Sequence, residues 1–383
     1  MTGAYIRGMG LSCALGEDME SCLSGMQRMQ PSSTTVRLAD LNEPFQLPYY
    51  RIPDSAELFD DGRYARLLPP VLRAAVENAG MSAADIRRLP IFIGSSCFSI
   101  GLSESIYAAA LTHKPESALP MPLCGYQDFA VIAQQALGSV GDVYMYNTAC
   151  TASANAMLGA LRMIELGWYR HALVIGVELA NRTTLTGFGG LQVVAEAVKP
   201  FDAERNGMVF GEGIGAVLLS VEADASACLR LIGGANNCDT YSVTTANPNG
   251  DAIAAVLNKT LTQINTPPET IQGIKAHGTA TVMGDLAEAN GIHQSFSMLP
   301  PISALKPYLG HTLGACGVNE LVLFGAALQR GVLPASPDFG NPDPDLNVHP
   351  LNTPGIATDG IYLLNHFGFG GNNTVLALEK MAS

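Results

Sequence analysis

No two of the eight cysteines are spaced as Cys-x-x-Cys, and their positions (13, 22, 97, 124, 150, 228, 238 and 316) follow no metal-ligand spacing. That absence argues against a disulfide-stapled secreted domain and against a structural zinc site, and it suits a reducing compartment. Basic residues are scarce as well. With 21 Lys and Arg against 34 Asp and Glu the net charge is −13, and there is no basic block or Arg/aromatic tract, which argues against nucleic acid and anionic membrane as partners. No uncharged apolar run reaches the roughly 18 residues of a spanning helix, and the first ten residues lack a charged segment followed by an apolar one. A soluble cytoplasmic protein is expected. Charged residues make up only 14% of the chain against 48% apolar, so extensive buried surface and an oligomer interface are expected. At 383 residues the chain exceeds what one core usually supports, which predicts two sub-domains or a duplicated unit.

What is present centres on Cys150. Val143-Tyr-Met-Tyr146 suits a buried strand, and the Ala/Leu/Met-rich run that ends at Gly167 suits a helix with a glycine stop. Cys150 falls at the helix entrance, where unpaired N–H groups and the positive end of the macrodipole favour an anion. A thiol there is expected to ionise more readily than a free one and to act as a nucleophile.

Residues 30–62, rich in Pro, Ser, Thr and Asp, read as a surface excursion, and residues 115–122 as a Pro-rich break. Leu67, Val71, Leu72, Ala75, Val76 and Ala79 predict a helix over 63–80 despite Pro69 and Pro70. His171–Glu178 is a continuous apolar strand of the kind buried on both faces. The glycines at 211, 213 and 215 precede a strand and not a helix, so they read as a tightly packed turn and not a dinucleotide site. Four elements recur in the same order. Leu229-Arg-Leu-Ile-Gly-Gly parallels Ala4-Tyr-Ile-Arg-Gly, and 302–331 parallels the Cys150 unit. Ile361-Tyr-Leu-Leu-Asn parallels Ala172-Leu-Val-Ile-Gly, and Thr374-Val-Leu-Ala-Leu-Glu parallels Val217-Leu-Leu-Ser-Val-Glu. This predicts an internal duplication with α/β halves at 1–227 and 228–383, joined between Val221 and Cys228.

Two of the seven histidines stand in loops of small residues, His277 in Lys275-Ala-His-Gly-Thr-Ala-Thr and His311 in Lys306-Pro-Tyr-Leu-Gly-His-Thr. His113, His171, His293, His349 and His366 carry no such context and read as structural or surface residues.

Taken together, Thr148-Ala-Cys150, Pro200-Phe-Asp-Ala-Glu-Arg-Asn-Gly207, Gly211-Glu-Gly, His277-Gly-Thr-Ala-Thr-Val-Met-Gly-Asp285, Lys306-Pro-Tyr-Leu-Gly-His311 and Asn365-His-Phe-Gly-Phe-Gly-Gly-Asn-Asn373 resemble the β-ketoacyl-acyl carrier protein synthases of the Cys-His-His type. The resemblance runs through nearly the whole chain. It implies an α/β thiolase-like fold with duplicated halves in an α-β-α-β-α layering, and decarboxylating condensation of an acyl group on Cys150 with malonyl-acyl carrier protein in fatty acid, polyketide or polyene synthesis. His277 and His311 are implied to stabilise the enolate. Lys306 is implied to support the site with Glu320 and Asp285 as charged partners, beside Thr279 and Thr281. The backbone N–H groups of Cys150 and Phe369 are implied to form the oxyanion hole, with Phe369 as a gate. No cofactor and no metal are implied. The implied partners are acyl carrier protein in its acyl and malonyl forms, and a second chain in a homodimer or in a heterodimer with another ketosynthase-like chain, where this chain could instead serve as the chain-length partner. Arg63, Arg66 and Arg73 are candidates for docking the carrier. A degradative thiolase fits less well, because Gly368–Asn373 holds no second cysteine, and a chain-initiating synthase fits less well, because His311 stands where such enzymes carry asparagine.

Overall fold

The longest apolar runs alternate between two cores, and that alternation sets the layers. The computed structural model describes residues 3–29, 33–38, 45–98, 100–113, 127–223 and 227–382. The Pro-rich break at 115–122, Cys124, the side chain of His113, and residues 30–32, 39–44 and 224–226 lie outside the described residues.

The strands of the main sheet are β1 (Ala4–Cys13), β2 (Ile91–Gly94), β3 (Val143–Tyr146), β4 (His171–Glu178), β5 (Gly213–Ser220), β6 (Leu229–Cys238), β7 (Ile271–Ala276), β8 (Ile302–Ala304), β9 (Gly360–Phe367) and β10 (Asn372–Lys380). They form one 10-stranded sheet in the order β8-β7-β9-β10-β6-β1-β5-β4-β2-β3. Outward from the central β6/β1 contact, both sides use their strands in the same sequence of first, fifth, fourth, second and third. The orientations match too. β2 pairs parallel with β3 and β4 while β4–β5 and β5–β1 are antiparallel. Likewise β7 pairs parallel with β8 and β9 while β9–β10 and β10–β6 are antiparallel. Between β1 and β6 only Ala4↔Leu231 and Tyr5↔Arg230 are in register.

The helices that matter are α1 (Arg63–Asn78), α2 (Ala152–Glu165), α3 (Asp251–Gln263), α4 (Val282–Ser295) and α5 (Cys316–Gln329). Ala172 and Val174 of β4, with Val217 and Leu219 of β5, face a central core shared with α2 and α5. Their neighbours Leu173, Ile175, Ala216 and Leu218 face an outer core under α1. In the second half Leu364, Leu376 and Leu378 face the central core, and Leu363, Val375 and Ala377 face an outer core under α3 and α4. Successive side chains on a strand point to opposite faces, so strands covered on both faces must be apolar throughout. The result is an α-β-α-β-α layered fold. Every residue of α5 from Cys316 to Leu328 is buried, as the middle layer requires. α5 meets α2 at Gly317, where a Cβ would lie 2.3 Å from the Ala154 backbone nitrogen.

Two expectations are corrected and a third holds. Within 30–62, Thr34–Leu38 and Phe45–Tyr50 pair as an antiparallel hairpin, and Tyr49 and Tyr50 pair parallel with Phe210 and Gly211. Tyr49, Tyr50 and Ile52 are buried, so this stretch is not a surface excursion. The polar composition masked an alternation only a few residues long. The glycines at 211, 213 and 215 lie in strands rather than a turn; the last two leave room for the Asn319 side chain, which a Cβ would meet at 2.5 Å. The helix over 63–78 does form with Pro69 and Pro70 inside it, held by the burial of Leu68, Val71, Leu72, Ala75 and Val76.

Candidate active site

Cys150 sits between β3 and α2, one residue before the cap Thr151. Ala149 adopts a left-handed conformation at φ 51°, which non-glycine residues hold only where the surroundings enforce it. Here Thr151 Oγ1 donates to the Thr148 carbonyl at 2.7 Å and Asn155 Nδ2 to Thr148 Oγ1 at 2.8 Å, bracing the turn. The thiol is not the readily ionised group expected from the helix entrance. Burial pushes it up to about 11, against the backbone N–H of Phe369, the Lys306 charge and the N–H of Cys150 itself, which pull it down. Desolvation of a thiolate outweighs the end of a helix dipole at this site.

His311 Nε2 lies 3.1 Å from Cys150 Sγ. Its backbone joins the strand beside it, accepting from Gly211 N and donating to the Val209 carbonyl at 2.8 Å, and its ring stacks on Phe210. His277 follows β7, its ring centroid 5.4 Å from that of His311 at 86°. Both imidazoles are held well below the usual histidine range, by burial first and then by Lys306. The structure thus brings Cys150, His277 and His311 to one point.

Lys306 Nζ donates to the His277 carbonyl and to Glu320 Oε1, each at 2.7 Å, and lies 3.3 Å from His277 Nδ1. Burial works against its charge, but Glu320 foremost, together with Cys316 and Glu288, outweighs this and its pKa is raised. Asp285 is not its partner. The Asp285 carboxylate instead accepts from the N–H of Phe201 at 2.7 Å and of Ala280 at 3.1 Å, and burial pushes it up to about 7. The second cation on Glu320 is Lys275. Thr279 and Thr281 hydroxyls lie 2.9 Å apart, and Thr281 caps α4 through Gly284 N.

Glu288 was missed from sequence, yet it accepts from the N–H of His277 and Gly278, both at 2.8 Å, and from Asn365 Nδ2 at 3.0 Å. Its signal was available, because it lies three residues beyond Asp285 on α4 and so shares a face. Lys275 was missed too, although the period of two along β7 puts it on the face of His277. Glu178 is a third omission; it is buried and binds Ser96 N at 2.8 Å and Gly314 N at 3.0 Å, holding the loop that follows His311.

Gly368 passes Cys150 so closely that a Cβ on it would lie 3.1 Å from Cys150 N. Phe369 follows, then Gly370 and Gly371 at φ 76° and 74°. Its ring packs on Phe188 at 5.4 Å, and Phe188 on Phe210 at 4.7 Å. A cavity of about 270 Å³ opens over the thiol, lined by Cys150, His277, His311, Thr279, Thr281 and Phe369 among others.

His277, Cys316 and His366 offer ligand atoms within 4.8 Å of one another. The ammonium groups of Lys306 and Lys275 approach the Nδ1 atoms of those same imidazoles at 3.3 and 3.5 Å, which disfavours a cation there. Cys316 Sγ donates to the Cys150 carbonyl at 2.9 Å. His366 is fully buried behind the site, not on the surface. Arg63 is equally inaccessible: it is 1% exposed, with Nη1 2.9 Å from Glu212 Oε2 and Nε 3.0 Å from Asp54 Oδ2, so it cannot dock a carrier. Arg66 is exposed and paired with Asp60, and Arg73 is exposed.

Comparison with known proteins gives the same direction. Family models described as "Beta-ketoacyl synthase, N-terminal domain" and "Beta-ketoacyl synthase, C-terminal domain" match residues 8–225 and 229–340. The chain is 27% identical to 3-oxoacyl-[acyl-carrier-protein] synthase 2 of Mycobacterium leprae over 405 residues, covering 97% of this chain and 95% of that protein. It is 33% identical to a putative mitochondrial 3-oxoacyl-[acyl-carrier-protein] synthase of Schizosaccharomyces pombe over 259 residues, covering 61% and 60%. A chain of the ketosynthase and chain length factor complex from Xenorhabdus doucetiae superposes with a TM-score of 0.82 at 25% identity, covering 99% of this chain and 98% of that one. With both domain models matched in order around a Cys-His-His cluster, the chain belongs to the β-ketoacyl synthase family.

Proposed function

We propose that this protein is a β-ketoacyl-acyl carrier protein synthase that condenses an acyl group held on Cys150 with malonyl-acyl carrier protein, extending the chain by two carbons. The observation that carries this is the 3.1 Å approach of His311 Nε2 to Cys150 Sγ, with His277 beside it under one cavity. Cys150 attacks the acyl thioester; its proton passes through His311 to the departing carrier thiol, and an acyl-Cys150 thioester results. Malonyl thioester then enters, and its carbon–carbon bond breaks with loss of carbon dioxide. The enolate oxygen takes hydrogen bonds from His277 and His311, which suits neutral imidazoles. The enolate carbon attacks acyl-Cys150, whose oxyanion meets the N–H groups of Cys150 and Phe369, and the thiolate leaves. Phe369, between two glycines in this loop, acts as the gate.

The two catalytic parts come from separate halves, 1–227 and 228–383, which we take as an internal duplication. Acyl carrier protein in acyl and malonyl forms is the substrate carrier, and a second chain, identical or ketosynthase-like, completes a dimer. A cytoplasmic site of action fits the seven described cysteines, all of which are unbridged. A second reading, a chain-length partner in a heterodimer, draws on the likeness to the Xenorhabdus doucetiae complex; the assembled Cys150, His277 and His311 favour catalysis.

Intact-mass measurement after incubation with acyl-carrier thioesters tests the proposal. One acyl adduct is expected on the wild type and none on Cys150→Ala. Malonyl-carrier decarboxylation should fall by about 10²-fold or more in His277→Ala and in His311→Ala. Adducts that persist without Cys150, or undiminished decarboxylation in both histidine variants, would remove the assignment.

A further inference from the structure

Glu320, fully buried on α5, is shared by two ammonium groups: Lys306 on Oε1 and Lys275 on Oε2. A structural ion pair needs one cation, and burying a second is costly unless it does something else. The only other carboxylate at this cluster among the described residues, Glu288, bonds neither lysine; its oxygens are taken by His277 N, Gly278 N and Asn365 Nδ2. Each lysine also holds the main chain of a different catalytic loop. Lys306 donates to the His277 carbonyl, and Lys275 donates at 2.7 Å to the carbonyl of Asn365, at the end of β9 that leads into Gly368 and Phe369. Lys275 also lies 3.5 Å from Nδ1 of His366.

We propose that Lys275 is a positioning residue of the condensing reaction: through Glu320 and the Asn365 carbonyl it fixes the Phe369 N–H beside Cys150 and supplies positive field where the enolate and the tetrahedral oxyanion form. This rests on the condensing role given to Cys150, His277 and His311. The groups that share the cluster are consistent with it. His277 faces Lys306, His311, Lys275 and His366, with Glu288 on its main chain, and His311 faces Cys150, Lys306 and Lys275. Burial and then these cations hold both imidazoles neutral, so the added charge acts on anions formed in the reaction and not on charged histidines.

The test compares wild type with Lys275→Gln, which keeps a hydrogen-bond donor but loses the charge, and Lys275→Arg, which keeps the charge. Two readouts are used: NMR titration of the ¹³C-labelled His277 and His311 rings, which needs no activity, and steady-state decarboxylation of malonyl-carrier protein. In Lys275→Gln both imidazole midpoints should rise by about one pH unit, and kcat should fall about tenfold with KM unchanged. Lys275→Arg should keep the wild-type midpoints. The inference is overturned if Lys275→Gln leaves midpoints and kcat as in wild type, if midpoints move without loss of kcat, or if Lys275→Arg follows Lys275→Gln. A wild type with no decarboxylation but with shifted midpoints in Lys275→Gln would instead sink the condensing assignment together with the positioning role, and leave only the field of Lys275.

Discussion

Nε2 of His311 stands 3.1 Å from Sγ of Cys150, although 161 residues separate them in the chain. Burial raises the thiol to about 11 and lowers the imidazole, so the resting pair is neutral, not a thiolate facing an imidazolium. Only the thiolate is nucleophilic, and a raised thiol pKa means that its fraction keeps growing as pH rises. The rate of Cys150 alkylation by iodoacetamide should therefore climb without a plateau from about pH 7 to about pH 10. A rate that is flat over that window would show an ion pair in the free enzyme and contradict the neutral pair.

Glu288 holds the His277 loop by two main-chain N–H groups. Glu288→Ala leaves both donors buried without an acceptor, at about 1–3 kcal/mol each. Glu288→Gln keeps one carbonyl oxygen and should lose about half as much. Urea unfolding measures this, and Glu288→Ala should also lower decarboxylation by letting His277 shift. A Glu288→Ala protein of wild-type stability would mean that the loop finds other acceptors.

Arg63 separates burial from carrier recognition. Its guanidinium contacts Asp54 and Glu212, and Glu212 also accepts from Ile52 N at 2.9 Å. Arg63→Met leaves the buried Glu212 carboxylate without its cation, while Asp54 keeps Arg51, and should cost about 3–5 kcal/mol of stability. Exposed Arg73→Ala should change stability by no more than about 0.5 kcal/mol. Thermal unfolding of the two variants checks the contrast, and an Arg63→Met protein that melts like wild type would mean that the ion cluster is dispensable.

Much of this was readable in the chain because the signals are local. Continuous apolar runs such as His171–Glu178 announce strands covered on both faces, and the small-residue helix after Cys150 announces a tight central layer. What could not be read depends on pairing across long separations. The resemblance gives Lys306 both Glu320 and Asp285 as partners; Glu320 is one, but the fold turns Asp285 toward Phe201 and Ala280 and brings Lys275 to Glu320 from 45 residues away. Arg63 looked like a surface charge because its partner Glu212 is 149 residues distant. The thiol was expected to ionise easily because a helix entrance is visible in sequence and the depth of its burial is not.

Gly368 and Gly371, on either side of Phe369 and Gly370, have different reasons to be glycine. Gly368 has an ordinary extended backbone at φ −140°, but a Cβ there would sit 3.1 Å from Cys150 N and 3.3 Å from Cys150 Cβ. Gly371 holds φ 74°, and a Cβ there would meet the Asp239 carbonyl oxygen at 1.7 Å. Gly368→Ala should therefore keep nearly all of its stability while, on the proposed role of Cys150, slowing its acylation about 10–100-fold, because a displacement of a few tenths of an ångström at Sγ spoils its approach. Gly371→Ala adds left-handed strain to the overlap with Asp239 and should lose about 1–3 kcal/mol. Thermal unfolding paired with a time course of acyl-adduct formation separates the two. If Gly368→Ala acylates at the wild-type rate, the turn between β9 and β10 does not govern access to the thiol.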